Sequence, residues 1–236
     1  MGHSLFIFMK GIYMDTSYET IKKELINLFM QTARHRHRYE VFSDFVTMAA
    51  NAIHNRFMKV EKLEQEYLDI AKKYSSEDMG RFAQLTRLVA MGLAEEGRDI
   101  LGNVFMELEL GSEQQGQFFT PHPICALTAQ LQTQNLEEYF REHRFIIMSE
   151  PACGSGSMIL AVFAELLKQN YLPFYRMWVQ AIDVNHVAAS MCYIQLSLCG
   201  IPGEVIYGNA LTTEIRRVLK TPTHYLFDWG QRLSES

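Results

Sequence analysis

Between residues 16 and 110 the apolar positions recur at helical spacing. Thr16-Ser17-Tyr18-Glu19 has the spacing of a capping box, in which a hydroxyl and a carboxylate satisfy orphan amides reciprocally. Behind it Ile21, Leu25, Leu28 and Phe29 fall on one face. Further stripes follow at Phe42, Phe45, Val46 and Ala49, at Leu63, Tyr67, Ile70 and Tyr74, and at Phe82, Leu85, Val89 and Leu93. A short last one carries Ile100, Val104, Phe105 and Leu108. Strand-like alternation is nearly absent and the connections are short, so the pattern predicts an antiparallel helical bundle over residues 1–110.

From Gly111 onward the pattern changes. Gly111-Ser112-Glu113-Gln114-Gln115-Gly116 is a polar, glycine-bounded loop, and a helix should begin near Pro121, because proline suits a first helical turn. Phe145-Ile146-Ile147-Met148 is a short apolar run, followed by a Gly/Ser loop and a helix over about Met158–Lys168. Trp178 to Ile182 is a second run, followed by a helix over about His186–Leu198; Val205-Ile206-Tyr207 is a third and His224-Tyr225-Leu226-Phe227 a candidate fourth. Strands alternating with helices predict βαβ units and a mostly parallel sheet over residues 111–236, and an α/β fold class for the chain.

Length and charge narrow the reading. At 236 residues the chain holds one large domain or two small ones, with enough core to fold without metal or disulfide. A formal net charge of −5 excludes a polycation that coats nucleic acid, so any such contact must be local or shared with a basic partner. Cys125, Cys153, Cys192 and Cys199 form no C-x-x-C pair and sit in apolar or glycine-flanked stretches, as reduced, mostly buried thiols do. There is no long apolar run, and Phe6 stands where a myristoylation signal needs Ser or Thr. The expectation is a soluble cytoplasmic protein without membrane or metal.

Glu150-Pro151-Ala152-Cys153-Gly154-Ser155-Gly156 carries the chemistry. A glycine-rich turn between strand and helix lets backbone approach a ligand and aims amides at an anionic group. Ile159 occupies the third glycine position of a dinucleotide fingerprint, and no Lys-Ser/Thr follows, which disfavours NAD and excludes a P-loop. Asp183, at the end of the second run, can accept both ribose hydroxyls or simply cap the next helix. Loop and acid together favour a nucleoside cofactor.

Four ordered blocks then make a specific resemblance. Gly116-Gln117-Phe118-Phe119-Thr120-Pro121, Glu150 to Gly156, Asp183-Val184-Asn185 and Gly208-Asn209-Ala210-Leu211 resemble the N-6 adenine DNA methylases, in particular the modification subunits of type I restriction-modification systems. The resemblance implies a partial Rossmann-like methyltransferase domain, truncated after the third block of the catalytic fold, and S-adenosylmethionine as cofactor. Carried over, Phe118, Thr120 and Pro121 line its methionine end, and Glu150, Ala152, Gly154 and Gly156 meet its amino and carboxylate groups. Asp183 takes the ribose, Val184 the adenine face, and Asn209, where Asp is commoner, the adenine amine. DNA is the implied partner, beside a specificity or methylase subunit or self-association; a partner chain, self-association or the N-terminal helices would cover the open edge of a short sheet.

The family's catalytic block, Asn or Asp, then Pro-Pro, then Tyr or Phe, holds a flipped adenine. No Pro-Pro occurs in this sequence; Phe227-Asp228-Trp229-Gly230 stands in its place. Either Asp228 and Trp229 are a minimal catalytic substitute, or the block is lost and Trp229 packs a chain end. Arg34-His35-Arg36-His37-Arg38 is the one compact basic run. Arg34, Arg36 and Arg38 either grip DNA phosphates or mark a solvated helix end. Two functions remain open: a cofactor-binding DNA adenine methylase relative, inactive alone, or a non-catalytic regulatory protein that binds a methylase, a restriction complex or DNA.

Overall fold

The computed structural model describes residues 17–94, 98–111 and 119–235. Five helices form where the apolar stripes place them: α1 (Tyr18–Gln31), α2 (Arg38–Met58), α3 (Glu61–Ala71), α4 (Ser76–Leu93) and α5 (Ile100–Glu107). The cap of α1 lies one residue later than the capping-box spacing suggested. Ser17 accepts from the Thr20 amide, and Glu19 pairs with Lys22 at 2.9 Å; Thr16 lies outside the described residues. The rings of Phe29, Phe42 and Phe105 meet edge to face, and Phe45 stacks on Phe82, a large apolar load for one small bundle.

α6 (His122–Gln132) starts behind Pro121 as expected, and α7 (Leu136–Glu142) follows. Then come β1 (Ile146–Glu150), α8 (Ser157–Lys168), the short α9 (Pro173–Arg176), β2 (Met177–Asp183), α10 (His186–Cys199) and β3 (Gly203–Asn209). The three strands pair in parallel, in the order β1-β2-β3. Met177, Val179 and Ala181 join the core with α8 and α10, while Trp178, on the alternate face, does not. One continuous core links Phe42, Phe45 and Leu85 of the helical half to Ile159, Met191 and Leu196, because α2 packs directly on α10.

Two expectations fail at the C-terminal side. His224 to Phe227 is not a strand: Pro222 opens a helix, α11 (Pro222–Leu226), and buried His224 accepts the Trp178 indole N–H at 3.1 Å. The fourth strand is instead β4 (Glu214–Lys220), antiparallel to β3. It escaped the apolar-run criterion because it is a charged, exposed edge, with only Leu219 buried; such charges blunt an edge against further pairing. β1 forms the other edge, with Ile147 57% exposed. A last short helix, α12 (Trp229–Ser234), closes the described chain. No described helix is long and apolar enough to cross a membrane.

Candidate functional site

The glycine loop leaves the carboxyl end of β1 and enters α8. Gly154 and Gly156 have φ of +54° and +97°, a region that costs any residue with a Cβ, and a Cβ on Gly154 would press on the Phe119 ring at 2.9 Å. The loop is held to the neighbouring strand twice: the Cys153 amide donates to Ile182 O at 2.9 Å, and the Gly154 amide to Asp183 Oδ2 at 2.8 Å. Asp183 Oδ1 accepts from the Asn185 amide at 2.8 Å. Asp183 therefore does not cap α10; Asn185 does, accepting from Val187 and Ala188. Burial pushes the Asp183 carboxyl above its ordinary value, against the pull of the two amides that hold it.

The sequence candidates around this loop divide. Glu150 ends β1 and accepts from the Ala152 amide at 3.4 Å, so Glu150, Ala152, Gly154, Gly156 and Asp183 come together. Val184, 58% exposed, stands open beside them. Thr120 and Pro121 are exposed at the start of α6. Phe118 lies outside the described residues; its neighbour Phe119 provides the ring over Gly154 and packs 5.7 Å from Phe105. Asn209 ends β3, but its side-chain oxygen already accepts from the Leu211 and Thr212 amides at 2.9 and 3.3 Å, so it holds the β3–β4 turn.

Asp228 and Trp229 are not part of this site. Trp229 is fully buried against Phe145 and Trp178 at the amino ends of β1 and β2, its indole N–H on Phe174 O at 3.0 Å. Asp183, at the far end of β2, is about 16 Å along the strand from Trp178. The geometry places Trp229 in packing and leaves exposed Asp228, with φ +50°, at the start of α12.

The basic run forms the α1–α2 turn. Arg38 donates to the carbonyls of Phe29, Thr32, Ala33 and Arg36, satisfying the orphan end of α1. Arg36 pairs with Glu40 at 2.7 Å and lies over Tyr74. Arg34 is exposed. Two of the three arginines are thus engaged within the fold.

Three residues that sequence reasoning passed over complete the loop's surroundings: Phe119, Asp99 and Gln195. Asp99 caps α5 and reaches Ser155 and Ser157, while Gln195 reaches the Ser155 carbonyl from α10. Contact with the Cys192 sulfur, together with burial, pushes the Cys153 thiol well above its ordinary value, which disfavours the thiolate under the loop. No cluster of three or more metal-ligating side chains occurs among the described residues.

Comparison with known proteins adds the rest. The model of the family described as N-6 DNA methylase matches residues 97–225, from just before Asp99 to α11. No curated protein matches the chain. A solved structure from Listeria monocytogenes, assigned as a class I S-adenosylmethionine-dependent methyltransferase, is similar at 15% identity with a TM-score of 0.47. It covers 78% of this chain, and this chain spans about half (51%) of it.

Proposed function

The chain belongs to the N-6 DNA methylase family, and we propose that it binds S-adenosylmethionine at the β1–α8 loop and serves methylation of the adenine amine in DNA. Within the family we place it beside the modification subunits of type I restriction-modification systems, acting in the cytoplasm. We assign residues 1–110 to a helical unit and 111–236 to the cofactor unit.

The observation that carries this reading is the hydrogen bond from the Gly154 amide to Asp183, which sets bare loop backbone beside a carboxylate at the strand ends. The residues fit the cofactor. Each Asp183 oxygen has one backbone donor and keeps a lone pair for a ribose hydroxyl. Val184 offers an open apolar face, and Glu150 and the loop backbone suit the amino acid end. Thr120 and Pro121, between Phe119 and α6, are assigned to its border. When bound, the cofactor supplies an electrophilic methyl group; this chain's residues hold and orient it. Asn209 meets the adenine amine only by sharing an oxygen that already serves the hairpin turn.

Adenine capture is assigned to none of the described residues. The sequence has no Pro-Pro block, and Trp229 lies at the other end of the sheet. That placement also favours a second reading, a non-catalytic protein that keeps the cofactor fold to bind a methylase, a restriction complex or DNA. Calorimetry with S-adenosylmethionine and a tritium-transfer assay on mixed-sequence DNA test the two. Heat of binding without turnover by the chain alone, and turnover with a partner methylase, is the expected result. Absence of binding at millimolar cofactor would remove the first reading.

A further inference from the structure

The cofactor loop is reached from behind by the helical half of the molecule. Asp99 lies in the turn before α5, is buried, and has both carboxylate oxygens fully used. Oδ1 accepts from the Gly102 amide at 2.7 Å and from Gln195 Nε2 at 2.8 Å. Oδ2 accepts from the Ser155 hydroxyl and from the Ser157 hydroxyl at 2.6 Å. Gln195, wholly buried on α10, completes the set. Its oxygen takes the Ile100 and Leu101 amides at 3.1 and 3.2 Å, and its amide also donates to Ser155 O at 2.7 Å.

The first three amides of α5 are therefore satisfied by two side chains that also grip the loop. The network has no slack. A Cβ on Gly102 would collide with the Asp99 carboxylate and the Ser155 hydroxyl, so α5 closes this tightly only with glycine there. On the far side the Asp99 carbonyl accepts from Tyr18 OH at 3.0 Å, which carries the connection to α1. A buried polar network with every member satisfied fixes one arrangement, and losing a member leaves the others unpaired in a low-dielectric interior.

We infer that Asp99, with Gln195, is the positioning residue of the cofactor loop: it clamps Ser155 and Ser157 so that the loop from Gly154 to Ser157 presents one geometry to the ligand. This rests on the cofactor reading above for its consequence, though not for the clamp itself. Asp99 touches no ligand; it acts through the two serines. The helical half then sets the affinity of a site that lies in the α/β half.

The test uses the full chain, with hydrogen exchange in the absence of ligand and calorimetry with S-adenosylhomocysteine as probe. Asp99→Asn should speed exchange at Gly102 and at Gly154 to Ser157 at least tenfold, leave α3 amides unchanged, and weaken the probe at least tenfold. Ser157→Ala should do the same to a smaller degree, and should add less to Asp99→Asn than it does to wild type, because Asp99 Oδ2 accepts from the Ser157 hydroxyl. Leu88→Ala, in the bundle core, should lower the melting temperature while the folded protein binds within twofold of wild type. If Asp99→Asn fails to fold, Ser157→Ala and Gly102→Ala carry the test. Loop amides that exchange at the wild-type rate, or additive effects in the double variant, would overturn the clamp. A wild-type chain that does not bind the probe would instead sink the cofactor reading, with the exchange data still deciding the clamp.

Discussion

At the carboxyl ends of β1 and β2, the Gly154 loop is held by carboxylates, hydroxyls and amides, and glycines expose its backbone. At the amino ends of the same strands, Phe145, Trp178 and Trp229 close the sheet with rings, joined by Phe227 and Leu233. Arg232 lies over Trp229 at 4.0 Å, its stem and charge capping the rings. Four residues of β2, Val179 to Ile182, separate Trp178 from Asp183 and so the two chemistries. Stability and ligand geometry are thereby assigned to different ends, and a change at one should barely register at the other.

The sharpest way to break that division is Trp229→Ala. Removing a fully buried indole should cost about 3–5 kcal/mol of stability, with the cavity left behind adding to the lost transfer energy. Urea denaturation measures it. Cofactor affinity of the still-folded fraction should stay unchanged; a large loss of affinity would mean that the aromatic end is coupled to the loop.

The converse variant is Asp183→Ala. Here affinity for S-adenosylmethionine should fall at least tenfold, since a lost hydrogen-bond acceptor of this charge is worth about 1.5–3 kcal/mol. Calorimetry on variant and wild type under one set of conditions reads the difference. Unchanged affinity would remove Asp183 from the ribose and leave it only as the tie for Gly154.

How much of this was legible in the sequence depends on whether a signal is local. The stripes of α1 to α5 and the loop from Glu150 to Gly156 are local patterns, and both emerge in place. Asp183 was visible because it ends an apolar run. Asp99 was not, because an aspartate before Ile100 looks like an ordinary cap; its partners Ser155, Ser157 and Gln195 are 56 or more residues away in sequence. β4 was missed because a solvated edge carries Arg216, Arg217 and Lys220 rather than apolar residues. For Trp229 the sequence left two alternatives, a catalytic substitute or a packing residue, and its burial against Phe145 matches the second.

A second ligand-facing region away from the loop would blur the comparison, and the α1–α2 turn is where it would be. Arg38→Ala should cost about 1 kcal/mol or somewhat more, because several carbonyls at the end of α1 lose their donor. Arg34→Ala should leave stability within about 0.5 kcal/mol, as expected for an exposed side chain. If Arg34 meets DNA, its loss should flatten the salt dependence of binding by about 0.9 log unit, one phosphate contact. An unchanged slope would confine ligand chemistry to the loop end.

The smallest effect expected is a pH dependence, and its sign separates Asp183's two duties. Its carboxyl is raised in the folded protein, so the folded state holds the proton more tightly than the unfolded one. The stability it contributes is therefore fully present below the ordinary aspartate range and declines as pH rises through the raised value. Ligand affinity should run the other way, because ribose hydroxyls donate to the ionised form. Asp183→Asn removes both trends, and subtracting its urea titrations from those of wild type between about pH 4 and 7 cancels the carboxylates common to both. Glu66, held low by Arg217 and Asn51 against the opposing pull of burial, is one of those that cancel. Opposite slopes for stability and affinity would show one carboxylate serving both the loop and the ligand; parallel slopes would mean that the ligand is held elsewhere.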